Sequence, residues 1–201
     1  MADSHKLVVA CLGDSITEGS PEHDSRRGGN RESQWMHWAA DDRLEYRNFG
    51  IWGERTDEIA DRFDEAVRGA GALVVQGGIN DIAQGRPVEH AAEDLRAIVR
   101  RAKELHLPVV LANVLPWNNG WPEAEAKVRR LNELIDELAE AEGVAVLDFH
   151  GALEDQDAAG RMRSEYAHAD GDHPSVAGYR RIGEAVLHDL LRALQPAQRP
   201  D

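Results

Sequence analysis

The sequence predicts an α/β fold in which helices cover both faces of a parallel sheet. Short runs rich in Val, Ile and Leu recur along the chain, and amphipathic stretches with apolar residues at helical spacing separate them. Continuous apolar runs are typical of strands that are buried on both faces. Alternation of strand and helix indicates βαβ units with right-handed crossovers. We therefore predict a three-layer α/β/α architecture around a five-stranded parallel sheet.

Five runs supply the predicted strands, and the second of them is half-polar. They span residues 7–12, 45–49, 73–75, 109–114 and 144–147.

Four amphipathic stretches supply the predicted long helices, and capping residues indicate their ends. Thr56 precedes Asp57 and Glu58 in the manner of an N-cap, Pro122 suits a first helical turn, and Gly143 suits a C-terminal cap. The predicted helices span residues 56–68, 88–106, 122–143 and 175–194.

Length and composition limit the class of protein. The 201 residues suffice for one α/β domain, with a core at about 6–194 and a frayed tail at 195–201. Lys and Arg number 23 against 37 Asp and Glu, so the formal net charge of −14 disfavours nucleic acid and anionic membranes as partners. The oligomeric state is not predicted.

The sequence carries no signal for export or membrane insertion. No apolar stretch reaches the roughly 18 residues that a membrane span needs, and the N-terminus lacks signal-peptide architecture. Cys11, the single cysteine, cannot form an intrachain disulfide and is interpreted as a core residue. We expect a cytoplasmic protein; an exported one whose leader has been removed is the alternative.

The turn after the first strand, within VACLGDSITEG, has three interpretations. A phosphate-binding loop would need a Lys followed by Ser or Thr, or the pattern G-x-G-x-x-G, and neither is present. Ser15 could simply cap a helix. It could also be a nucleophile, although Thr17 stands where the nucleophile elbow G-x-S-x-G has its second glycine.

A serine nucleophile needs a base that a third group orients, and the segment HADGDHPS offers both. His173 stands just before the last predicted helix, and Asp170 is three residues earlier, so that a turn can bring its carboxylate to the imidazole. Asp172 is an alternative partner. The crowding of His168 with these three residues also allows a metal site as a rival interpretation.

Four sequence blocks occur together in one order: GDSITEG, NFGIWGERT, GGIND and DGDHPSVAGY. On these blocks the chain resembles the GDSL/SGNH hydrolase family over nearly its whole length. The resemblance implies a flavodoxin-like fold and an esterase that needs no cofactor or metal. It also implies the site residues: Ser15 as nucleophile, His173 as base, Asp170 as its orienting group, and an oxyanion hole formed by the N–H groups of Ser15 and Gly50 with the amide of Asn80.

The substrate is less well defined by the sequence. Carboxyl ends of parallel strands share one edge of a sheet, and ligands bind beyond it. Weak candidates for substrate contacts at this edge are Asp14, Arg26, Trp52, Trp117 and Asn118. The tryptophans suit a sugar ring, although they also suit gap-filling between elements. The preferred substrate is a short-chain acyl ester such as an acetyl ester; the alternatives are a lysophospholipase or thioesterase for longer chains, and a non-catalytic carbohydrate-binding protein.

Overall fold

A computed structural model describes residues 6–194 of the chain. The predicted frayed tail, residues 195–201, lies outside the described residues. The strands are β1 (Leu7–Gly13), β2 (His23–Asp24), β3 (Gly28–Gly29), β4 (Leu44–Gly50), β5 (Ala72–Val75), β6 (Val109–Ala112), β7 (Ala145–Leu147), β8 (Glu154–Asp155) and β9 (Ala158–Met162). The α-helices are α1 (Ser15–Glu18), α2 (Trp35–Trp38), α3 (Thr56–Asp61), α4 (Phe63–Ala66), α5 (Ile79–Ala83), α6 (Val88–Glu104), α7 (Ala124–Glu142), α8 (Phe149–Leu153) and α9 (Val176–Ala193).

Five strands form the central sheet in the order β4-β1-β5-β6-β7, and every neighbouring pair is parallel. Gly13 at the end of β1 is in register with Gly50 at the end of β4, and β5 pairs with β1 on its other side. The carboxyl ends of these three strands therefore share one edge of the sheet. This confirms the predicted architecture.

Each sheet face has its own apolar core because strand side chains alternate between the two faces. On β1, Ala10 and Leu12 pack with α3 to α7, whereas Val9 and Cys11 pack with α1, α2, α8 and α9. Cys11 is fully buried, as the sequence predicts for a core residue. Within residues 6–194, no helix combines the length and the apolar character that a membrane crossing needs.

Helix ends agree with prediction where a side chain or a glycine sets them. Ser175 is the N-cap of α9, its side chain accepting the Gly178 N–H, and Gly143 closes α7 in the left-handed conformation at φ +66°. Three predictions are wrong in detail. Helix α7 begins at Ala124 with Glu123 as its N-cap, so Pro122 lies before the helix and not in its first turn. Arg55, not Thr56, is the N-cap of α3, and the expected helix 56–68 is interrupted at Arg62 into α3 and α4.

Candidate active site

Ser15 is the first residue of α1, directly beyond the end of β1. The preceding Asp14 is the N-cap, and its Oδ1 accepts the Ile16 N–H at 2.9 Å. Four residues of helix end at Gly19, which has φ +98°. This tight strand–turn–helix unit holds the Ser15 hydroxyl at the sheet edge, where only 3% of the residue is exposed.

The structure brings Ser15, His173 and Asp170 together from opposite ends of the chain. His173 Nε2 lies 2.9 Å from Ser15 Oγ, and His173 Nδ1 lies 2.9 Å from Asp170 Oδ2. The order hydroxyl, imidazole, carboxylate is the geometry that general-base activation of a serine requires.

The Asp170 carboxylate is held in its ionised form. Burial alone would raise the pKa of Asp170, but N–H donors from Asp172 and His173 outweigh it and bring the pKa to about 2. Both main-chain N–H groups donate to Oδ1, at 2.9 and 3.1 Å, so Oδ2 remains for the His173 ring. A carboxylate at this position favours the Nδ1–H tautomer of the imidazole.

Asp172 does not compete for the His173 ring. Its Oδ1 accepts the Trp117 Nε1–H at 2.7 Å. In the part of the chain that the structure describes, no group of three or more His, Cys, Asp or Glu side chains is arranged to hold a metal ion. The geometry therefore favours the hydroxyl–imidazole–carboxylate interpretation over the metal site.

The position of Gly50 requires a correction to the predicted oxyanion hole. Its N–H donates to Asn48 Oδ1 at 2.8 Å and is therefore not available to a substrate oxygen. A glycine is needed here for a different reason. A Cβ would lie 2.1 Å from the Glu18 nitrogen, so the absence of a side chain lets β4 pack against α1.

Gly53 is a residue that sequence reasoning missed, in the same block as Gly50. It has φ +80°, and a Cβ there would meet nothing within 4 Å. Among the hydrogen bonds of residues 6–194, the N–H groups of Gly53 and Ser15 donate to no acceptor. The Asn80 Nδ2 donates one proton to the Glu54 carbonyl at 2.9 Å, which fixes the amide and leaves its second proton free.

Several solved structures of other proteins share this fold. Solved structures with this fold include a G-D-S-L family protein from Desulfitobacterium hafniense that is described as lipolytic (25% identity, TM-score 0.78, covering 91% of this chain and 99% of that one). A GDSL-like lipase from Bacteroides thetaiotaomicron (21%, 0.74, 93% and 89%) and a variant of an acetyl-xylooligosaccharide esterase from Geobacillus (18%, 0.74, 100% and 100%) are also similar. No curated protein matches the chain by sequence.

The family model for GDSL-like lipases and acylhydrolases matches residues 11–181. The chain belongs to this GDSL-like lipase/acylhydrolase family. Membership places it among enzymes that hydrolyse ester bonds, and the matched span runs from the end of β1 into α9, so it includes Ser15, His173 and Asp170.

Arg62 ties together the segments that carry the GDSL-family site. Its guanidinium donates to the carbonyls of Gly13 (3.1 Å) and Phe49 (2.8 Å), at the ends of β1 and β4. It also donates to the Glu54 carboxylate at 2.9 and 2.5 Å, and the Glu54 carbonyl holds Asn80. The partly buried Arg62 guanidinium thus fixes the turn that carries Ser15 relative to the 51–55 loop.

Asp81 fixes the other side of Asn80. This fully buried carboxylate accepts the Thr56 N–H and hydroxyl at 3.0 Å each, and the Arg86 guanidinium at 2.6 Å. Sequence reasoning missed these supports because their partners lie far apart in the chain. For Arg62 two of the partners are main-chain carbonyls, which carry no residue-specific signal.

The residues proposed as substrate contacts differ in how available they are to a ligand. Trp52 is 72% exposed beside Gly53 and is free to contact a ligand. Trp117 is tied to Asp172 and packs edge-on against Trp121, with ring centroids 5.4 Å apart. This pair borders the loop that carries His173.

Two of these candidates are held by the protein itself, and a third lies on an exposed turn. Asp14 has no exposed surface, so a role in substrate contact does not fit its position. Asn118 Oδ1 and Nδ2 both bond the Met162 main chain, at 2.7 and 3.0 Å, which makes Asn118 an anchor for β9. Arg26 lies in the exposed β2–β3 turn, with its N–H donated to Asp24.

Burial changes the acidity of Asp14, which directly precedes Ser15. It raises the pKa of Asp14 to about 7, although the Ile16 N–H bond acts in the opposite direction.

A pocket of about 630 Å³ lies beside α2 and the edge strand β4, and none of the catalytic candidates lines it.

Proposed function

We propose that this chain is a serine esterase that cleaves carboxylic esters through an acyl-enzyme, with a preference for short acyl groups such as acetyl. The observation that carries the proposal is the continuous contact from Ser15 Oγ through His173 to Asp170, with 2.9 Å at each step. Neither a metal nor an organic cofactor enters the mechanism below.

In the first half-reaction, His173 Nε2 takes the proton of Ser15 as Oγ attacks the acyl carbon. Asp170 holds the ring in the tautomer that presents a free Nε2 and stabilises the imidazolium that forms. The ionised state of Asp170 suits this role, since its pKa of about 2 keeps the carboxylate charged across the working range of an imidazole base.

The attack creates negative charge on the former carbonyl oxygen. We assign its stabilisation to the N–H groups of Ser15 and Gly53 and to the free proton of the Asn80 amide, with Gly53 in place of the Gly50 expected from the sequence. Preorganised donors are worth about 3–4 kcal/mol each when they are aimed at the developing charge.

Collapse of the tetrahedral intermediate breaks the bond between the acyl carbon and the alcohol oxygen, and His173 returns its proton to that oxygen. Water, deprotonated by the same ring, then attacks the acyl-Ser15 ester and releases the acid. Another alcohol in place of water would give acyl transfer with the same groups.

One comparison supports the short-acyl preference, and one exposed side chain suits the alcohol portion of the substrate. One structural relative is an acetyl-xylooligosaccharide esterase. The exposed Trp52 offers a flat surface for the alcohol portion of a substrate. Longer-chain lysophospholipase or thioesterase activity is the alternative within the same chemistry, and a non-catalytic carbohydrate-binding role is the alternative outside it. A cytoplasmic location stays a prediction from the sequence.

A panel of p-nitrophenyl esters from acetyl to palmitoyl tests the proposal. We expect hydrolysis with the highest kcat/KM for acetyl or butyryl, abolished in Ser15→Ala and retained in Ser164→Ala, a control at an exposed serine. Equal activity of the Ser15→Ala variant would refute the proposed nucleophile. A preference for palmitoyl would refute the short-acyl assignment alone.

A further inference from the structure

A second imidazole, that of His168, lies against the carboxylate that orients His173. Its Nδ1 is 3.1 Å from Asp170 Oδ2, the same oxygen that the His173 ring contacts at 2.9 Å. The His168 Nδ1 also lies 3.3 Å from the Asp170 main-chain nitrogen and accepts its N–H when the ring is neutral. His168 therefore contacts both the main chain and the side chain of Asp170.

The backbone keeps His168 in this place. The His168 N–H donates to the His173 carbonyl at 2.8 Å, and an antiparallel bridge joins Ala167 to Pro174. The Gly171 N–H donates to the His168 carbonyl at 3.0 Å. The two histidines thus lie on one loop, and the pairing of its two ends fixes the position of His168 relative to His173.

This inference rests on the proposed function: we propose that His168 is a positioning residue that acts through Asp170, because it holds the Asp170 main chain and shares with His173 the carboxylate oxygen that orients the base. A positive charge on His168 competes for the carboxylate that would otherwise stabilise the His173 imidazolium. Two imidazoles that share one carboxylate lose their protons in coupled steps. Removal of His168 leaves Asp170 Oδ2 to the His173 ring alone, so the proposal predicts a change in the pH dependence of the reaction.

The other ionisable groups around His168 and Asp170 do not supply a positive charge beside the Asp170 carboxylate. Asp172 on the same loop is turned to Trp117, and burial raises the pKa of Tyr179 on α9 well above its ordinary value, which keeps it neutral. Asp14 and Glu18, at the two ends of the short α1 segment, have carboxyl groups and supply no positive charge. In the described part of the chain, His168 and His173 are the only basic side chains within 4 Å of the Asp170 carboxylate.

Two variants separate the two contacts of His168. His168→Ala removes both, whereas His168→Asn keeps a side-chain oxygen for the Asp170 N–H but has no titratable charge. We expect both variants to shift the acid limb of the kcat/KM profile for p-nitrophenyl acetate upward by about 0.5–1 pH unit. At pH 8 we expect kcat to fall about three- to tenfold in His168→Ala and to remain near the wild-type value in His168→Asn.

Salt and a remote histidine provide the controls. His168 is partly exposed, so the shift should shrink in 1 M salt, which a purely steric effect would not do. His188→Ala removes a ring that also lies beside a carboxylate, 3.4 Å from Asp189 on α9, and should leave the profile unchanged. An acid limb that stays at its wild-type position in both His168 variants overturns the proposal.

An NMR titration of the His173 ring makes the result independent of esterase activity. In the wild type and in His168→Ala, the ring ¹⁵N shifts report the protonation of the His173 ring directly. A titration midpoint displaced to higher pH in the variant supports the inference even if no ester is hydrolysed. An unchanged midpoint refutes the inference, whereas an inactive wild type with the displaced midpoint refutes only the proposed function.

Discussion

Replacement of Asn80 by alanine removes one of three proposed donors to the oxyanion without touching Ser15 or His173. One Asn80 proton is committed to the Glu54 carbonyl at 2.9 Å, so a single proton is left for the substrate oxygen. Loss of one preorganised donor lowers kcat by about 100- to 1,000-fold, equivalent to about 3–4 kcal/mol. Because the donor acts on charge that develops in the transition state, KM should stay within about twofold.

Steady-state hydrolysis of p-nitrophenyl acetate measures this effect, with thermal unfolding as a check on the fold. Gln84→Ala is the matched control, since the Gln84 amide donates to the Gly53 carbonyl at 3.0 Å and so supports the same loop. We expect that control to lose less than about fivefold in kcat, because a main-chain anchor is not a donor to the oxyanion. A kcat for Asn80→Ala within fivefold of wild type, or an equal loss in Gln84→Ala, would refute the assignment of Asn80.

Three further predictions concern the supports of the site. Gly50→Ala should lower the free energy of unfolding in urea by about 3 kcal/mol or more, because its Cβ would lie 2.1 Å from the Glu18 nitrogen; a loss below 1 kcal/mol would contradict the close packing. Arg62→Met should lower kcat/KM at least tenfold and reduce Tm, since the carbonyls of Gly13 and Phe49 each lose the Arg62 donor and the Glu54 carboxylate loses its cation; unchanged kinetics would show that Arg62 does not hold the site. The pKa of Asp14 is raised to about 7 in the folded chain, so its contribution to stability falls as pH rises from about 4 to 7 and stays low above that. Asp14→Asn should therefore be more stable than wild type at pH 8 but not at pH 4, as measured by urea unfolding at both pH values; an equal difference at both would contradict the pKa shift.

The parts of the fold that were predicted correctly have local signals in the sequence, namely apolar runs and helix-capping residues. The apolar runs correctly located the inner strands β1, β5 and β6 because both faces of the sheet are covered there. The edge strands β4 and β7 were also located, although their side chains are partly exposed. Ser175 and Gly143 set helix ends through their own side chain or backbone conformation, which a sequence displays directly. The two-stranded pairs β2–β3 and β8–β9 were not predicted, since each is short and has little apolar character.

Thr56 shows why a local signal can mislead. Its residue type and the acidic residues after it are those of an N-cap, but its hydroxyl lies between the carboxylates of Asp81 and Asp94, at 3.0 and 2.9 Å, and bonds to them instead. Partners 25 and 38 residues away decide its role, and no local pattern contains them.

The two glycines of NFGIWGERT illustrate the limit for the site. A sequence shows that both are glycines, but not that the N–H of Gly50 is taken by Asn48 or that Gly53 has a positive φ. By contrast, the three-residue spacing of Asp170 and His173 is a local feature, and the turn that it suggested is present. No local pattern shows the contact between His173 and Ser15. These residues are far apart in the chain, and the fold of the whole sheet brings them together.

The most direct measurement is the intact mass of the protein after reaction with a fluorophosphonate, which forms a stable bond only with an activated serine. The wild-type chain should gain the mass of one phosphonyl group, with the modified peptide containing Ser15. Ser15→Ala should gain none, and His173→Ala should react far more slowly. An unmodified wild type, or a Ser15→Ala variant that is labelled to the same extent, would contradict the account.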